Sequence, residues 1–141
     1  MFKISYKIIL ESMVVFILII ISITSFYATF LPDTKFLFLE ETYLELLALT
    51  ETGGNGKLNL LTYPLGLYFI CIFTCIQYLR SRNIVYINFL ILIWSAVLLA
   101  RIISIILRGG IVFDIYFLVG IFPEFIIAPF FFFIRNKVFN T

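Results

Sequence analysis

Histidine is absent from the 141 residues, and charged residues make up only 13% of them. Without imidazole the commonest general base is missing, as are a haem's proximal histidine and most zinc and copper sites. No metal and no cofactor is expected on this residue supply. Cysteine occurs twice. Cys71 and Cys75 stand four apart in one apolar run, a spacing that gives them one helical face but no easy disulfide. They read as small apolar fillers. A soluble domain carries about 25% charged residues. Here 63% of the residues are hydrophobic and the mean hydropathy is +1.16. Such a composition cannot clothe a surface in contact with water, so the sequence predicts an integral membrane protein. A net charge of only +2 gives no reason to expect a nucleic-acid partner.

What is present is long apolar runs. A hydrocarbon core of ~30 Å needs about 20 apolar residues in a helix. Four runs meet that length, at about 7–30, 58–79, 84–107 and 112–134, within one domain covering 1–141. The first is read as an uncleaved span. Its apolar stretch is too long for a signal peptide, and cleavage after Ala28 would place bulky Phe26 where a small residue is wanted.

Charge sets the direction. Lys3, Lys7, Arg80, Arg82, Arg135 and Lys137 flank the runs on one side, against Lys35, Lys57 and Arg108 on the other. Basic residues stay on the cytoplasmic side. Both termini are therefore expected in the cytoplasm, and the fold class is an all-α, up-down-up-down bundle of four membrane-spanning helices. The "RSRN" stretch predicts a tight turn making the second and third helices antiparallel neighbours. Gly109 and Gly110 are expected to end the third. The outer loop, 31–57, carries "FLFLEETYLELLALTE", whose mixed apolar and acidic residues predict a short helix on the membrane surface.

The unusual residues are charges inside those runs. A charged side chain at the centre of a membrane helix costs about 2.5–3.5 kcal/mol, so such groups face a bundle interior, a cavity or a partner. With the third span centred near Ala96, Arg101 lies about 7–8 Å toward the outer face, while Glu124 falls close to the middle of the fourth. Gly120, Glu124 and Ala128 share one helical stripe, and Ala96, Ala100 and Ser104 another, with Arg101 beside it. Small residues mark close helix approach. Glu124 is thus expected in a helix contact and Arg101 at the edge of one. Their backbones differ in depth by roughly 9 Å, a gap that two long side chains could close directly or through water, with Asp114 and lipid head groups as rival partners for Arg101. Three readings stay open: the pair only fixes helix register or Arg101 snorkels outward, the two form a polar pocket for a ligand or ion, or Glu124 relays protons. Thr24, Ser25, Thr62 and Tyr63 fall at a similar depth, which would make an outward-facing polar pocket. Glu11, near the cytoplasmic start of the first span, is given no special role. Pro64, Pro123 and Pro129 each remove a helix donor and free the carbonyl of Leu60, Val119 or Phe125, predicting kinks.

The order of these features resembles a known family. An outer helix follows the first span, a span with Tyr63 and Gly66 comes next, "ARIISIILRGG" places Arg101 before a glycine turn, and "FPEFIIAPFFFFIR" places Glu124 in the last span. This is similar to the small bacterial four-helix membrane proteins grouped as domain of unknown function 4345, over about residues 8–135, most specifically at Arg101, Gly110 and Glu124. The chain departs from that family where Pro64 stands in place of the first glycine of a Tyr-Gly-Gly step. The resemblance implies a four-helix fold in the bacterial inner membrane and no particular activity.

The site residues expected from the sequence are therefore Arg101, Glu124, Tyr63, Thr62 and Ser104. The function expected is a non-enzymatic bundle whose polar site packs helices or binds a lipid or small amphiphile. A small proton-coupled transporter using Glu124 is the alternative, and a lipid-modifying enzyme the second. Expected partners are membrane lipids. A homo-oligomer is also considered, because transport by so short a chain would need one.

Overall fold

A computed structural model describes residues 5–37, 40–42, 45, 56–108 and 122–139, the side chains of 56–61, 63 and 108 excepted. The described residues form four long helices: α1 (Tyr6–Phe30), α2 (Gly56–Ser81), α3 (Ile84–Arg108) and α4 (Phe122–Phe139). Among the described residues there is no strand, only an isolated bridge between Lys35 and Thr42. Two helices, Tyr6–Phe30 and Ile84–Leu107, are long and apolar enough to cross a membrane.

Helix ends follow local chemistry. Ser5 caps α1, its side chain accepting from the Lys7 N–H. Asn83 caps α3, its Oδ1 accepting from the Val85 N–H at 2.9 Å. Between α2 and α3 lie only Arg82 and Asn83. Arg82 takes the left-handed conformation, φ 55°, and its N–H donates to the Tyr78 carbonyl at 2.7 Å. Glycine would adopt that backbone freely, whereas a side chain is strained by about 1–2 kcal/mol. The Arg82 side chain compensates. It lies 3.4 Å from Glu11 and 5.8 Å from the centre of the Tyr78 ring, tying the start of α1 to the turn. Glu11 therefore has a partner that the sequence reading did not give it. Strain and contacts are of similar size, since a half-exposed ion pair and a cation–π contact are each worth at most about 1 kcal/mol. Arg82→Ala keeps the strain, loses the contacts and is expected to cost about 1 kcal/mol. Arg82→Gly relieves the strain and should stay within about 0.5 kcal/mol of wild type. Thermal unfolding compares them, and equal losses would refute this account.

Beyond α1 the chain folds back. Phe36 packs edge-on against Tyr27, ring centres 4.9 Å apart, and its N–H donates to the Glu41 carbonyl. Thr42 and Glu45 then make a reciprocal pair, the Thr42 N–H donating to Glu45 and the Glu45 N–H to the Thr42 hydroxyl. This is a capping box, a helix-start signature. The Thr42 backbone N–H, with its hydroxyl, holds the Glu45 carboxyl below the usual carboxylate range. The remainder of the expected surface helix lies outside the described residues, as do the Gly109–Gly110 turn and residues 112–121 of the fourth run.

Each helix packs on two neighbours, α1 on α2, α2 on α3, α3 on α4 and α4 back on α1. Ala28 near the end of α1 meets Leu65 and Tyr68 early in α2, and Arg101 late in α3 meets Glu124 at the start of α4. With the two-residue α2–α3 link, these contacts make chain neighbours antiparallel. The core is a stripe from each helix: Leu10, Val14, Ile17 and Ile21; Cys71, Cys75 and Tyr78; Ile87 and Leu90; Ile127, Phe131 and Ile134. It is concentrated at the end where α1 starts and α2 turns into α3. Toward the other end α3 stands away from it, with Ile106 74% and Leu107 78% exposed.

Candidate functional site

In that thinner half of the bundle, Arg101 and Glu124 meet directly. The Arg101 Nε donates to Glu124 Oε2 at 2.8 Å and Nη2 donates to Oε1 at 3.1 Å. This is a two-pronged guanidinium–carboxylate pair, the strong and directional form of the contact. The side chains keep 37% and 13% of their surface exposed, respectively. Two of the three guanidinium nitrogens are committed, and Nη1 is left to other acceptors.

The structure corrects the expected packing of α3. Ala96 and Ala100 are exposed, so they form no close helix contact. At about 100° per residue, they lie roughly 100–140° around the helix from Arg101. The inward stripe runs instead through Ile87, Leu90, Trp94, Val97 and Arg101 to Ser104. Arg101 thus continues the core face rather than sitting at the edge of a contact. Bulky β-branched and aromatic residues, not alanines, face the neighbours here. On α4 the expected stripe does turn inward, with Ala128 buried and Glu124 partly so. Gly120 lies outside the described residues.

Of the other expected polar groups, the described ones on α1 and α3 make no hydrogen bond to this pair. Ser104 is half-buried, and no hydrogen bond ties it to Arg101 or Glu124. Thr24 donates to the Ile20 carbonyl of its own helix at 2.8 Å, and Ser25 is buried within α1. Thr62 is exposed. The Tyr63 side chain lies outside the described residues. Among the described residues a groove of about 410 Å³ runs elsewhere, along Ile8, Glu11, Ser12, Val15, Phe16 and Ile19 of α1.

Pro64 and Pro129 lie inside α2 and α4, as the sequence indicates. Pro123 stands in the first described turn of α4, and the Val119 carbonyl it was expected to free lies outside the described residues. Cys71 and Cys75 are buried free thiols in the core. Among the described residues no three His, Cys, Asp or Glu side chains gather as a metal site.

Among the described residues, the buried indole Nε1 of Trp94 and the buried Nε of Arg135 have no hydrogen-bond acceptor. Sequence reasoning passed over both, treating Arg135 only as a flanking charge.

Compared with known proteins, the chain matches no family model, no curated protein and no solved structure.

Proposed function

We propose that this chain is a non-enzymatic integral membrane protein, an antiparallel bundle crossing the bilayer four times with both termini in the cytoplasm. In this reading the Arg101–Glu124 pair joins α3 to α4 and offers the remaining guanidinium face to the anionic head of a lipid or small amphiphile. The direct two-pronged pair carries the proposal. The bundle's outer surface supports its setting: Ile19, Phe69, Phe73, Leu92, Leu99, Ile106 and Phe132 are all exposed, on all four helices. Lipid tails are the medium for such a surface, since water tolerates only limited apolar patches. The resemblance to the bacterial four-helix family agrees with this setting and adds no activity.

Proton relay fits the geometry less well. Both Glu124 oxygens already accept hydrogen bonds from the Arg101 guanidinium, so neither is left open toward a proton path. A lipid-modifying enzyme would need a second acid or base, and among the described residues none is placed beside the pair.

The ligand claim is tested with oleate and the purified protein in detergent. Oleate is expected to raise the melting temperature of wild type, and to raise it far less in the Arg101→Met/Glu124→Leu double variant, which keeps the packing volume without the charges. Equal stabilisation of both would leave the pair as a packing device only. Reconstituted wild type should take up no protons. Uptake that Glu124→Gln abolishes would replace this reading with the transporter.

A further inference from the structure

The groove on the outer face of α1 joins an apolar wall to a charged end. Ile8, Ser12, Val15, Phe16 and Ile19 are exposed along it, and Glu11 is the charged residue that lines it. Arg82 of the α2–α3 turn stands 3.4 Å from the Glu11 carboxylate. A full charge-assisted hydrogen bond is shorter, about 2.7–2.9 Å, and the Arg101–Glu124 pair reaches 2.8 Å. Glu11 and Arg82 therefore attract each other while each keeps hydrogen-bonding capacity in hand. Their side chains stay 27% and 44% exposed, so a third group can reach both. The core thiols Cys71 and Cys75 and the sealed N–H groups of Trp94 and Arg135 offer no such access.

We infer that this groove seats a phosphatidylethanolamine molecule, with its ammonium on Glu11, its phosphate on Arg82 and an acyl chain along Val15, Phe16 and Ile19. Glu11 lies near the start of α1, at the head-group level of the four-span reading, and Ile19 lies about 12 Å deeper along the helix. A tail alone confers no preference, because the outer surface is apolar on all four helices. The head group makes the choice. A primary ammonium brings three N–H donors to a carboxylate, as a lysine does; the trimethylated nitrogen of choline brings none. A glycerol head has no cation for Glu11 and sets its phosphate charge beside a carboxylate. The phosphate shared by all these lipids suits the guanidinium fork of Arg82. A zwitterion is thus the charge complement of a loosely joined anion and cation. The seat rests on the membrane reading above, since its acyl chain runs where that reading puts the lipid tails.

Native mass spectrometry of the detergent-purified protein tests this, with dioleoyl phosphatidylethanolamine, phosphatidylcholine and phosphatidylglycerol as probes. Wild type should retain phosphatidylethanolamine over phosphatidylcholine by about tenfold, the scale of one charge-assisted hydrogen bond. Glu11→Leu should remove that preference. Glu11→Gln, whose amide oxygen accepts without the charge, should shrink it to about threefold; this variant decides if Glu11→Leu fails to fold. Ser12→Trp fills the groove from an exposed position and should also remove the preference, whereas Leu92→Trp on the outer face of α3 should leave it. No preference in wild type, or an unchanged one in the Glu11 variants, overturns the seat. Stronger retention of phosphatidylglycerol than of phosphatidylethanolamine overturns it too, because the basic residues at this end then act by net charge. A preference that survives Ser12→Trp overturns the groove as its place. Alkaline carbonate extraction of cell membranes separates the two proposals. Release of the protein there refutes the four crossings, whereas loss of the phosphatidylethanolamine preference from a protein that stays in the membrane refutes only this seat.

Discussion

Arg101→Ala is expected to lower the unfolding free energy by about 3 kcal/mol, the low end of what removing one partner of a buried ion pair costs. The magnitude depends on which group is left behind. Glu124 keeps only 13% of its side-chain surface exposed, so alanine at position 101 strands a carboxylate that neither water nor head groups reach easily. Arg101 keeps 37% and has the longer, more adaptable side chain. Glu124→Gln therefore strands the more accessible partner and leaves an amide oxygen to accept, and about 1 kcal/mol is expected of it. The Arg101→Met/Glu124→Leu double variant removes both charges at similar volume and should lie within about 1 kcal/mol of wild type, because desolvating the pair offsets much of its attraction. Thermal or denaturant unfolding in detergent measures all three. The order Arg101→Ala worst, then Glu124→Gln, then the double variant follows only if the two groups meet as described. A double variant as damaged as Arg101→Ala would show that the loss comes from packing, not from a stranded charge.

The sequence makes the helices legible because length, hydropathy and local punctuation agree. The "RSRN" turn is a short-range signal, and the structure uses it where the sequence places it. The Arg101–Glu124 contact was only half legible. Two opposite charges in otherwise apolar helices have few partners to find, but their backbones fall at different depths, and the sequence alone left direct pairing open. Facing was harder. Alanines at 96 and 100 suggest a close contact, but the same spacing also serves an outer surface, and only the three-dimensional neighbours of Ile87, Leu90 and Trp94 choose between them. Equal depth also says nothing about angle around a helix: Thr24 turns to its own backbone. Arg135 was missed because its charge suits a cytoplasmic flank equally well whether the side chain is free or half-buried. Nor does anything in the sequence say that Arg82 sits in a left-handed turn, a conformation normally given to glycine.

Phe131→Ala carries the second large effect. Phe131 is fully buried in the cluster that joins all four helices. In a water-soluble core this change costs about 3–5 kcal/mol, the sum of lost transfer energy and a cavity. In a bilayer the first part shrinks, because separated helices leave the ring in tails as apolar as the core itself. The cavity and the lost dispersion contacts remain, so about 2 kcal/mol is expected in lipid or detergent. Phe131→Leu should cost roughly half as much, since most of the volume is kept. Ile106→Ala is the counterpart: the side chain is 74% exposed, and its loss should change stability by less than about 0.5 kcal/mol. The ratio of the two carries the meaning. A large Phe131 effect beside a negligible Ile106 effect fits a core held by packing and an outer α3 face bathed by tails. If Ile106→Ala costs as much as Phe131→Ala, the outer face of α3 is covered by protein, and the bundle works as part of an oligomer.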